Sequence, residues 1–450
     1  MEVISQASKT ILAILKTPKR SDCRYRKMHF CVEHPVDQGV LLYHTLTKEL
    51  IFLTREEYDR YLELEYLRQQ WFVVPEDTND KQCADLVKWV LSARLKQKQD
   101  IVSYTIFPTT DCNARCFYCY ELGRSRIPMS RETALKAVQY IKNHCGGKKI
   151  SISWFGGEPL YNQMAIDTIC TGLREEGIAY SSTMTTNAYL FDADTVKKAA
   201  EFWNVQRVQI TLDGTEAVYN RVKAFVSPAD NPYQRVLHNI EMLLDASVSV
   251  TIRMNMDLHN AENLILLAQE LAQRFGHRKN IGAYVRHLFK GNESLADAHT
   301  AEEWELRDEY MRRIEEKLDQ VGMIPRIGVS TKMRFNHCMA DSGNAVTILP
   351  DGNVGVCEHF SETEFVGHLD RDDLDVSVLN SWKEKTPPIA ECVACFHYPD
   401  CVMLKKCPNG NKCFLQHREL IHRSTARKME NEYRRWQSKE ELPEENQEFC

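Results

Sequence analysis

Nowhere in the 450 residues does an apolar run approach the roughly 18 residues that a membrane-crossing helix needs. Basic residues are not in excess either. Lys and Arg number 57 against 63 Asp and Glu, giving a net charge of −6 and a pI near 6.2. That balance lacks the electropositive footprint of a nucleic-acid binder. The first residues hold an apolar stretch only at 11–15 and no small-residue cleavage site, so no signal peptide is expected. The histidines, His287 and His359 among them, show no ligand spacing and read as satisfied or exposed side chains. What these absences leave is an ordinary globular composition, 43% hydrophobic and 27% charged. The expectation is a cytoplasmic protein, with no membrane or nucleic-acid partner and with room for two or three domains.

What the chain does have is cysteine, sixteen in all. In a reducing compartment these are better candidates for metal ligands or reactive thiols than for disulfides. Three lie within eight residues at Cys112, Cys116 and Cys119, and seven lie between Cys338 and Cys413. Two ligand groups are the simplest reading. Cys23, Cys31, Cys83, Cys145 and Cys170 are scattered and read as small hydrophobes, and Cys450 as an exposed thiol.

The pattern around the cysteines sets the organisation. Residues 25–32, 39–43 and 49–53 read as strands, and 56–70 and 81–95 as helices, with a break at 75–80. From residue 101 strands and helices alternate. Strands are predicted at 101–107, 149–154, 180–185, 205–212, 248–254 and 281–288, and helices at 131–144, 192–201, 233–245 and 260–275. Six such units predict a parallel, partly closed α/β barrel. A further helix is predicted at 301–321. The segment beyond Leu420 reads as a charged tail, with 439–449 too polar for a core.

Residues 111–120 read DCNARCFYCY, a Cys-x3-Cys-x2-Cys run directly after the first barrel strand. Thiolates are the usual ligands of four-iron cubanes. Three of them hold three irons and leave the fourth open to chemistry, as an open zinc position marks a catalytic site. The competing reading is a zinc knuckle, but zinc sites usually present paired Cys-x2-Cys ligands, and no such partner lies nearby. Parallel barrels place function at the carboxyl ends of their strands. There the chain carries Gly156-Gly157-Glu158-Pro159 after the second strand and Asn187 after the third. Thr211, Asp213 and Gly214 end the fourth, and Arg253 and Asn255 the fifth.

The cysteine spacing, with Tyr118 just before Cys119, resembles the signature of the radical S-adenosylmethionine (radical SAM) superfamily. The resemblance implies a four-iron cluster on Cys112, Cys116 and Cys119. Its open iron would chelate S-adenosylmethionine, whose reductive cleavage yields a 5′-deoxyadenosyl radical. It also implies that Tyr118 lines the adenine pocket. Gly156, Gly157 and Glu158 would meet the methionyl amine. Thr211 and Asp213 would stand for the family's Ser-x-Asp-Gly motif, with Thr replacing Ser, and Arg253 would reach the carboxylate, with Asn187 beside them.

The later cysteines run Cys338-x13-Gly352-x4-Cys357 and then Cys392-x2-Cys395-x5-Cys401-x5-Cys407-x5-Cys413. This resembles the SPASM extension of the family, which binds two auxiliary four-iron clusters, although the Cys401–Cys407 interval is longer than the usual one. The resemblance implies an outer cluster on Cys392, Cys395, Cys401 and Cys413. The inner one would lie on Cys338, Cys357 and Cys407, one ligand short. A zinc ribbon is the competing reading, with paired spacing only at Cys392-x2-Cys395. The N-terminal strands and helices resemble the winged-helix element by which peptide-maturation enzymes capture a leader, with residues 50–53 as the expected strand edge. The competing roles are a domain that buttresses the barrel or a DNA reader, the latter disfavoured by the acidic 56–70 helix.

The expected organisation is therefore 1–98 winged-helix recognition element, 99–325 radical SAM partial barrel, 326–420 SPASM domain and 421–450 charged tail. The expected activity is thioether formation, cysteine sulfur to carbon, within a ribosomally made, Cys-rich, leader-bearing precursor. Expected cofactors are S-adenosylmethionine and three four-iron clusters, and the expected electron donor is a flavodoxin or ferredoxin. The alternatives are carbon–carbon crosslinking, side-chain oxidation as in sulfatase maturation, or non-catalytic electron transfer.

Overall fold

A computed structural model describes residues 1–16, 23–95, 100–119, 121, 123–288, 300–359, 364–371, 374–407, 413 and 418–438. The chain divides into two compact units. One combines Met1–Lys98 with Arg326–Cys338 and Glu384–Cys450, and the other Gln99–Pro325 with Met339–Lys383.

The first unit is built on short antiparallel strands: β1 (Glu2–Ser5), β2 (Tyr25–Lys27), β3 (Cys31–Val36), β4 (Gly39–His44), β5 (Glu49–Thr54) and β6 (Val73–Pro75). Four of them form a sheet in the order β1-β5-β4-β3, and β2 pairs with β6. One of its hydrophobic clusters joins the two ends of the sequence. Val32, Leu41, Tyr43, Leu50 and Phe52 of the sheet pack with Val329, Phe396, Met429 and Tyr433. The last two come from helix Arg418–Ser438, whose Ala426, Met429 and Tyr433 fall on one face at helical spacing. Residues 421–438, expected to be tail, are thus a packed helix, and 439–450 lie outside the described residues.

Two local expectations fail for identifiable reasons. The predicted helix at 56–70 is broken, because Leu64 takes an extended conformation (φ −72°, ψ 111°) between two short helices. Residues 50–53 are no edge. β5 pairs with β4 on one side, and on the other Glu2, Val3 and Ser5 of β1 face Phe52, Ile51 and Leu50. The pairing with β1 is irregular between Val3 and Ser5, and Leu50 N–H donates to the Ser5 hydroxyl (3.1 Å).

The second unit holds β7 (Ser103–Ile106), β8 (Ile150–Trp154), β9 (Tyr180–Thr186), β10 (Val205–Thr211), β11 (Ser249–Met256) and β12 (Ile281–His287), all parallel and adjacent in sequence order. The hairpin of β13 (Ala345–Ile348) and β14 (Asn353–Gly355), followed by β15 (Phe365–His368), extends the sheet beyond β7. The sheet is therefore open, with β12 and β15 at its ends. Helices join the six parallel strands, and three of them start at a side-chain cap. Ser130 accepts from Thr133 N–H, Asp192 from Thr195 N–H and Asn231 from Tyr233 N–H.

The two faces of this sheet differ. Tyr104, Ile106, Ile152, Trp154, Met184, Val208, Ile210, Val250, Ile252 and Met254 are fully buried. Alternating with them are Thr105, Ser153, Thr183, Gln209, Thr251 and Arg253, a row of polar side chains. A barrel packed solid would fill that face with Val, Ile and Leu. Here it is suited to a polar occupant.

Buried in the first unit, Glu49 gives a test of the fold. One of its oxygens accepts from Tyr66 Oη (2.5 Å), and the other has no hydrogen-bond partner among the described residues. Burial raises its pKa from 4.5 to about 7, against the lowering effect of Tyr66. The folded state therefore holds a proton that the unfolded state releases between those values. The stabilisation is complete below pH 4.5 and is lost as pH rises through about 7. Unfolding free energy measured in urea should fall across this window by on the order of 3 kcal/mol more in the wild type than in Glu49→Gln.

Candidate functional site

The polar side chains singled out from the sequence gather at the carboxyl ends of β7 to β11. The thiol loop leaves β7 and is anchored at several points. Cys112 N–H donates to Asp111 Oδ1 (2.8 Å), Ala114 N–H reaches Cys112 Sγ (3.4 Å), and Cys119 N–H donates to the Cys116 carbonyl (3.1 Å). Burial is the main cause that raises all three thiol pKa values, Cys112 to about 12. The charges of Cys116 and Cys119 add to the rise at Cys112, so the three sulfurs lie within electrostatic reach of one another. Such thiols stay protonated at neutral pH unless a metal compensates the thiolate charge.

Beneath the loop lies the Gly156-Gly157 pair. Gly156 has φ +106°, and a Cβ there would sit 2.4 Å from the Thr109 carbonyl oxygen. On Gly157 it would sit 2.2 Å from that of Asp111. The close approach that these glycines permit is thus made by the thiol loop itself. Gly157 N–H donates to Thr109 O (3.1 Å) and Glu158 N–H to Asp111 O (2.9 Å), fixing the loop on the end of β8.

Glu158, expected at the methionyl amine, is fully buried and already engaged. Its Oε1 accepts from Leu160 N–H (3.2 Å) and Thr186 Oγ1 (2.7 Å), and its Oε2 from Asn187 N–H (2.8 Å). Burial pushes its pKa up to about 7 in spite of these donors. Asn187 in turn donates through Nδ2 to Asn113 Oδ1 (2.7 Å) and lies 3.8 Å from Cys112 Sγ. Asn113 Nδ2 is buried and finds no acceptor among the described residues.

A second buried network flanks the loop. Tyr118 Oη donates to Asp213 Oδ2 (2.5 Å), Lys223 Nζ donates to Tyr118 Oη (2.9 Å), and Lys223 pairs with Asp213 Oδ2 at 3.2 Å. Asn255 N–H donates to Asp213 Oδ1 (3.2 Å), and Asn260 Nδ2 binds the carbonyls of Asp213 (3.0 Å) and Asn255 (2.9 Å). Asp213 is therefore committed inside the protein. Arg253 donates to Asn255 Oδ1 (2.9 Å) and stays half-buried on the polar face, and Thr211 pairs with it across β10 and β11. Thr186, which follows the predicted third strand beside Asn187, is in view from the sequence, but sequence reasoning passed over Lys223, Asn113 and Asn260. Their signal is weak, because a lysine closing a helix ordinarily points into water.

The later cysteines divide between the units. Cys338, Cys392, Cys395, Cys401, Cys407 and Cys413 belong to the first, and Cys357 to the second, just beyond the β13–β14 hairpin. Burial raises Cys401 to about 11, Lys88 lowers it, and the charges of Cys395, Cys392 and Cys413 raise it. Cys401 therefore lies within electrostatic reach of the three other thiols assigned to an outer cluster. Lys88 Nζ donates to the Tyr398 carbonyl (2.6 Å) and reaches that of Cys401 (3.4 Å), while Cys392 packs with Ile11, Met28, Phe30 and Val87.

Among the described residues no three His, Cys, Asp or Glu side chains converge as they would on a single metal ion. The ligand candidates of the loop are three thiols, and among the described residues the buried Asn113 Nδ2 has no acceptor. Both features fit a sulfur-rich iron–sulfur group.

Residues 106–271 match the family model described as Radical SAM superfamily and form a radical SAM domain. Part of the chain is 32% identical over 112 residues to an uncharacterized protein of Methanocaldococcus jannaschii, covering 24% of this chain and 37% of that protein. Another alignment is 31% identical over 131 residues to a probable GTP 3′,8-cyclase of Methanococcus maripaludis, covering 28% and 41%. The chain thus spans about two fifths of the length of these relatives. Among solved structures, native anSMEcpe with bound AdoMet and Cp18Cys peptide has a TM-score of 0.53 at 16% identity, covering 75% of this chain and 98% of that one. Streptococcus suis SuiB bound to precursor peptide SuiA has a TM-score of 0.50 at 14% identity, covering 88% and 97%. At these identities the likeness is one of fold. Among the described residues no helix is long and apolar enough to cross a membrane.

Substituting Gly157 by Ala should force the backbone at Asp111 to move, since a contact of 2.2 Å to a carbonyl oxygen has no side-chain relief. The expected loss of stability in denaturant unfolding is about 1–3 kcal/mol. Iron uptake on anaerobic reconstitution should fall with it, whereas Gly147→Ala, strained at φ +71° but meeting no neighbour, should lose stability and leave iron uptake unchanged.

Proposed function

We propose that this chain, with its radical SAM domain at residues 106–271, is a peptide maturase that joins a cysteine sulfur to a carbon of the same precursor. The observation that carries this reading is the combination of two thiol groups in one chain. One is held at the carboxyl ends of parallel strands beside a polar sheet face, and six of the seven cysteines of the other belong to the sheet-bearing first unit. When bound, the clusters and S-adenosylmethionine would supply a 5′-deoxyadenosyl radical that removes one hydrogen atom, and a site for the second electron released as carbon and sulfur join.

The chain's own residues would then do the following. Cys112, Cys116 and Cys119 hold the loop cluster. Cys392, Cys395, Cys401 and Cys413 hold an outer auxiliary cluster, and Cys338, Cys357 and Cys407 an inner one. Tyr118, Gly156, Gly157, Glu158, Asn187, Thr211, Asp213 and Arg253 frame the co-substrate pocket. In that frame Glu158, Asp213 and the glycines act by fixing the loop, because their polar groups are used within the protein. Arg253 and Thr211, half-buried on the polar face, are the groups placed to meet a carboxylate. A flavodoxin or ferredoxin serves as donor.

The first unit takes the leader of the precursor. Strand addition at β3 is poorly supported, since Pro35 lacks an N–H and His34 is tied to Glu430 at 2.6 Å. β1 is short, irregular and half-exposed, beside the fully buried β5. The leader therefore binds by taking the place of β1 along β5, with backbone hydrogen bonds for affinity.

Three measurements test this. Anaerobically reconstituted protein should carry about twelve irons, and each of Cys112→Ala, Cys116→Ala and Cys119→Ala should lose about four. These variants should also form no 5′-deoxyadenosine, while a stoichiometric zinc content without iron would end the reading. With S-adenosylmethionine, reductant and a Cys-bearing precursor, the wild type should give a product lacking two hydrogens per crosslink. A Cys→Ser precursor should not react, and a crosslink between two carbons would assign the alternative product. Replacing both Val3 and Ile4 by Asp removes the apolar contacts of β1 and should tighten leader binding several-fold in fluorescence titration.

A further inference from the structure

Lys223 is the last residue of helix Glu216–Lys223, and its side chain is 4% exposed. It touches the thiol loop with both ends. Its carbonyl accepts from Arg115 N–H (2.9 Å) and lies 3.8 Å from Cys116 Sγ. Its ammonium donates to Tyr118 Oη and pairs with Asp213, and it stands 5.5 Å from the Tyr118 ring centre and 5.8 Å from that of Tyr219. The next residue, Ala224, has φ +45°, which turns the chain so that Val226 N–H reaches the Asn113 carbonyl (2.8 Å). The whole Cys112–Cys119 loop is thus clasped from this helix end.

A buried ion pair is an expensive way to hold a helix end, since apolar side chains of similar volume often do as well or better. The Lys223–Asp213 pair is neutral by itself. Once the loop carries a metal cluster, its thiolates place further negative charge beside Lys223, and one-electron reduction adds one unit more. A fixed cation in a water-poor site favours that added charge. Asp213 shares the ammonium with Tyr118 and also accepts from Asn255 N–H, so its own charge is partly offset from another side.

We propose that Lys223 is a positioning residue that clasps the thiol loop and raises the reduction potential of the cluster it holds. This rests on the loop carrying an iron–sulfur cluster. It goes beyond that reading by assigning electrostatic control to a residue outside the cysteine motif and the co-substrate pocket.

The test compares full-length wild type, Lys223→Met and Lys223→Arg after anaerobic reconstitution. Iron is counted, and the potential of the loop cluster is followed by electron paramagnetic resonance, with the spectrum of a Cys112/Cys116/Cys119→Ala triple variant subtracted. Lys223→Met should keep its iron yet need a more reducing poise, its oxidised-to-reduced ratio at fixed potential rising about tenfold, which is 59 mV for one electron. Lys223→Arg should keep the wild-type midpoint. If Lys223→Met fails to hold the loop iron, recovery of that iron by Lys223→Arg supports the assignment, and failure of both overturns it. Full iron with an unchanged midpoint in Lys223→Met also overturns it, as does an Arg variant shifted as far as the Met one. Absence of loop iron in the wild type would instead sink the underlying radical SAM assignment of the loop, and the role of Lys223 with it.

Discussion

The arrangement at the carboxyl ends of the strands hangs on one buried carboxylate. Glu158 receives hydrogen bonds from two backbone N–H groups and one hydroxyl, drawn from the turn after β8 and the end of β9. Its own N–H holds Asp111 at the start of the thiol loop. Charging such a group inside the protein is costly, as its raised pKa records. Removing it would leave three donors buried without acceptors, and each such group costs about 1–3 kcal/mol. The carboxylate therefore acts as a joint. Two strands and a loop meet there, and none of the three can shift alone.

The second buried cluster, of Tyr118, Lys223, Asp213, Asn255 and Asn260, does the same on the other side of the loop. Between them the two networks fix the backbone on which the thiols sit. Burial raises the pKa values of the thiols, so they are protonated and uncharged where no metal compensates the thiolate charge. The loop backbone is thus held by groups other than the thiols, which is the preorganisation a reactive site needs.

Much of this was legible in the sequence, and the reasons for the rest are physical. The parallel strands were readable because β7, β8 and β11 alternate apolar and polar side chains, and because chemistry-bearing residues lie at or after the ends of β7 to β11. The 131–144 helix was readable because Ser130 caps it. The roles of the glycines and of Glu158 were only half legible, since the sequence says that they permit close approach but not what approaches. Lys223 was illegible, as its burial depends on a left-handed turn at Ala224 that no residue type signals. The partner of β5 was also hidden. A four-residue strand such as β1 carries too little periodicity to announce itself. The joining of residues 1–98 with 384–450 in one unit was out of reach of any local pattern.

That joining has a consequence for how the chain reaches its fold. The apolar side chains of β3, β4 and β5 that pack with Phe396, Met429 and Tyr433 are made early in synthesis, and their partners more than 300 residues later. During that interval the sheet has an uncovered hydrophobic face, while the parallel α/β unit between the two halves draws most of its contacts from its own continuous stretch of chain. The middle of the protein is accordingly the part able to fold first. The first unit closes only when the last helix emerges, a long-range step that is slow and exposed to aggregation.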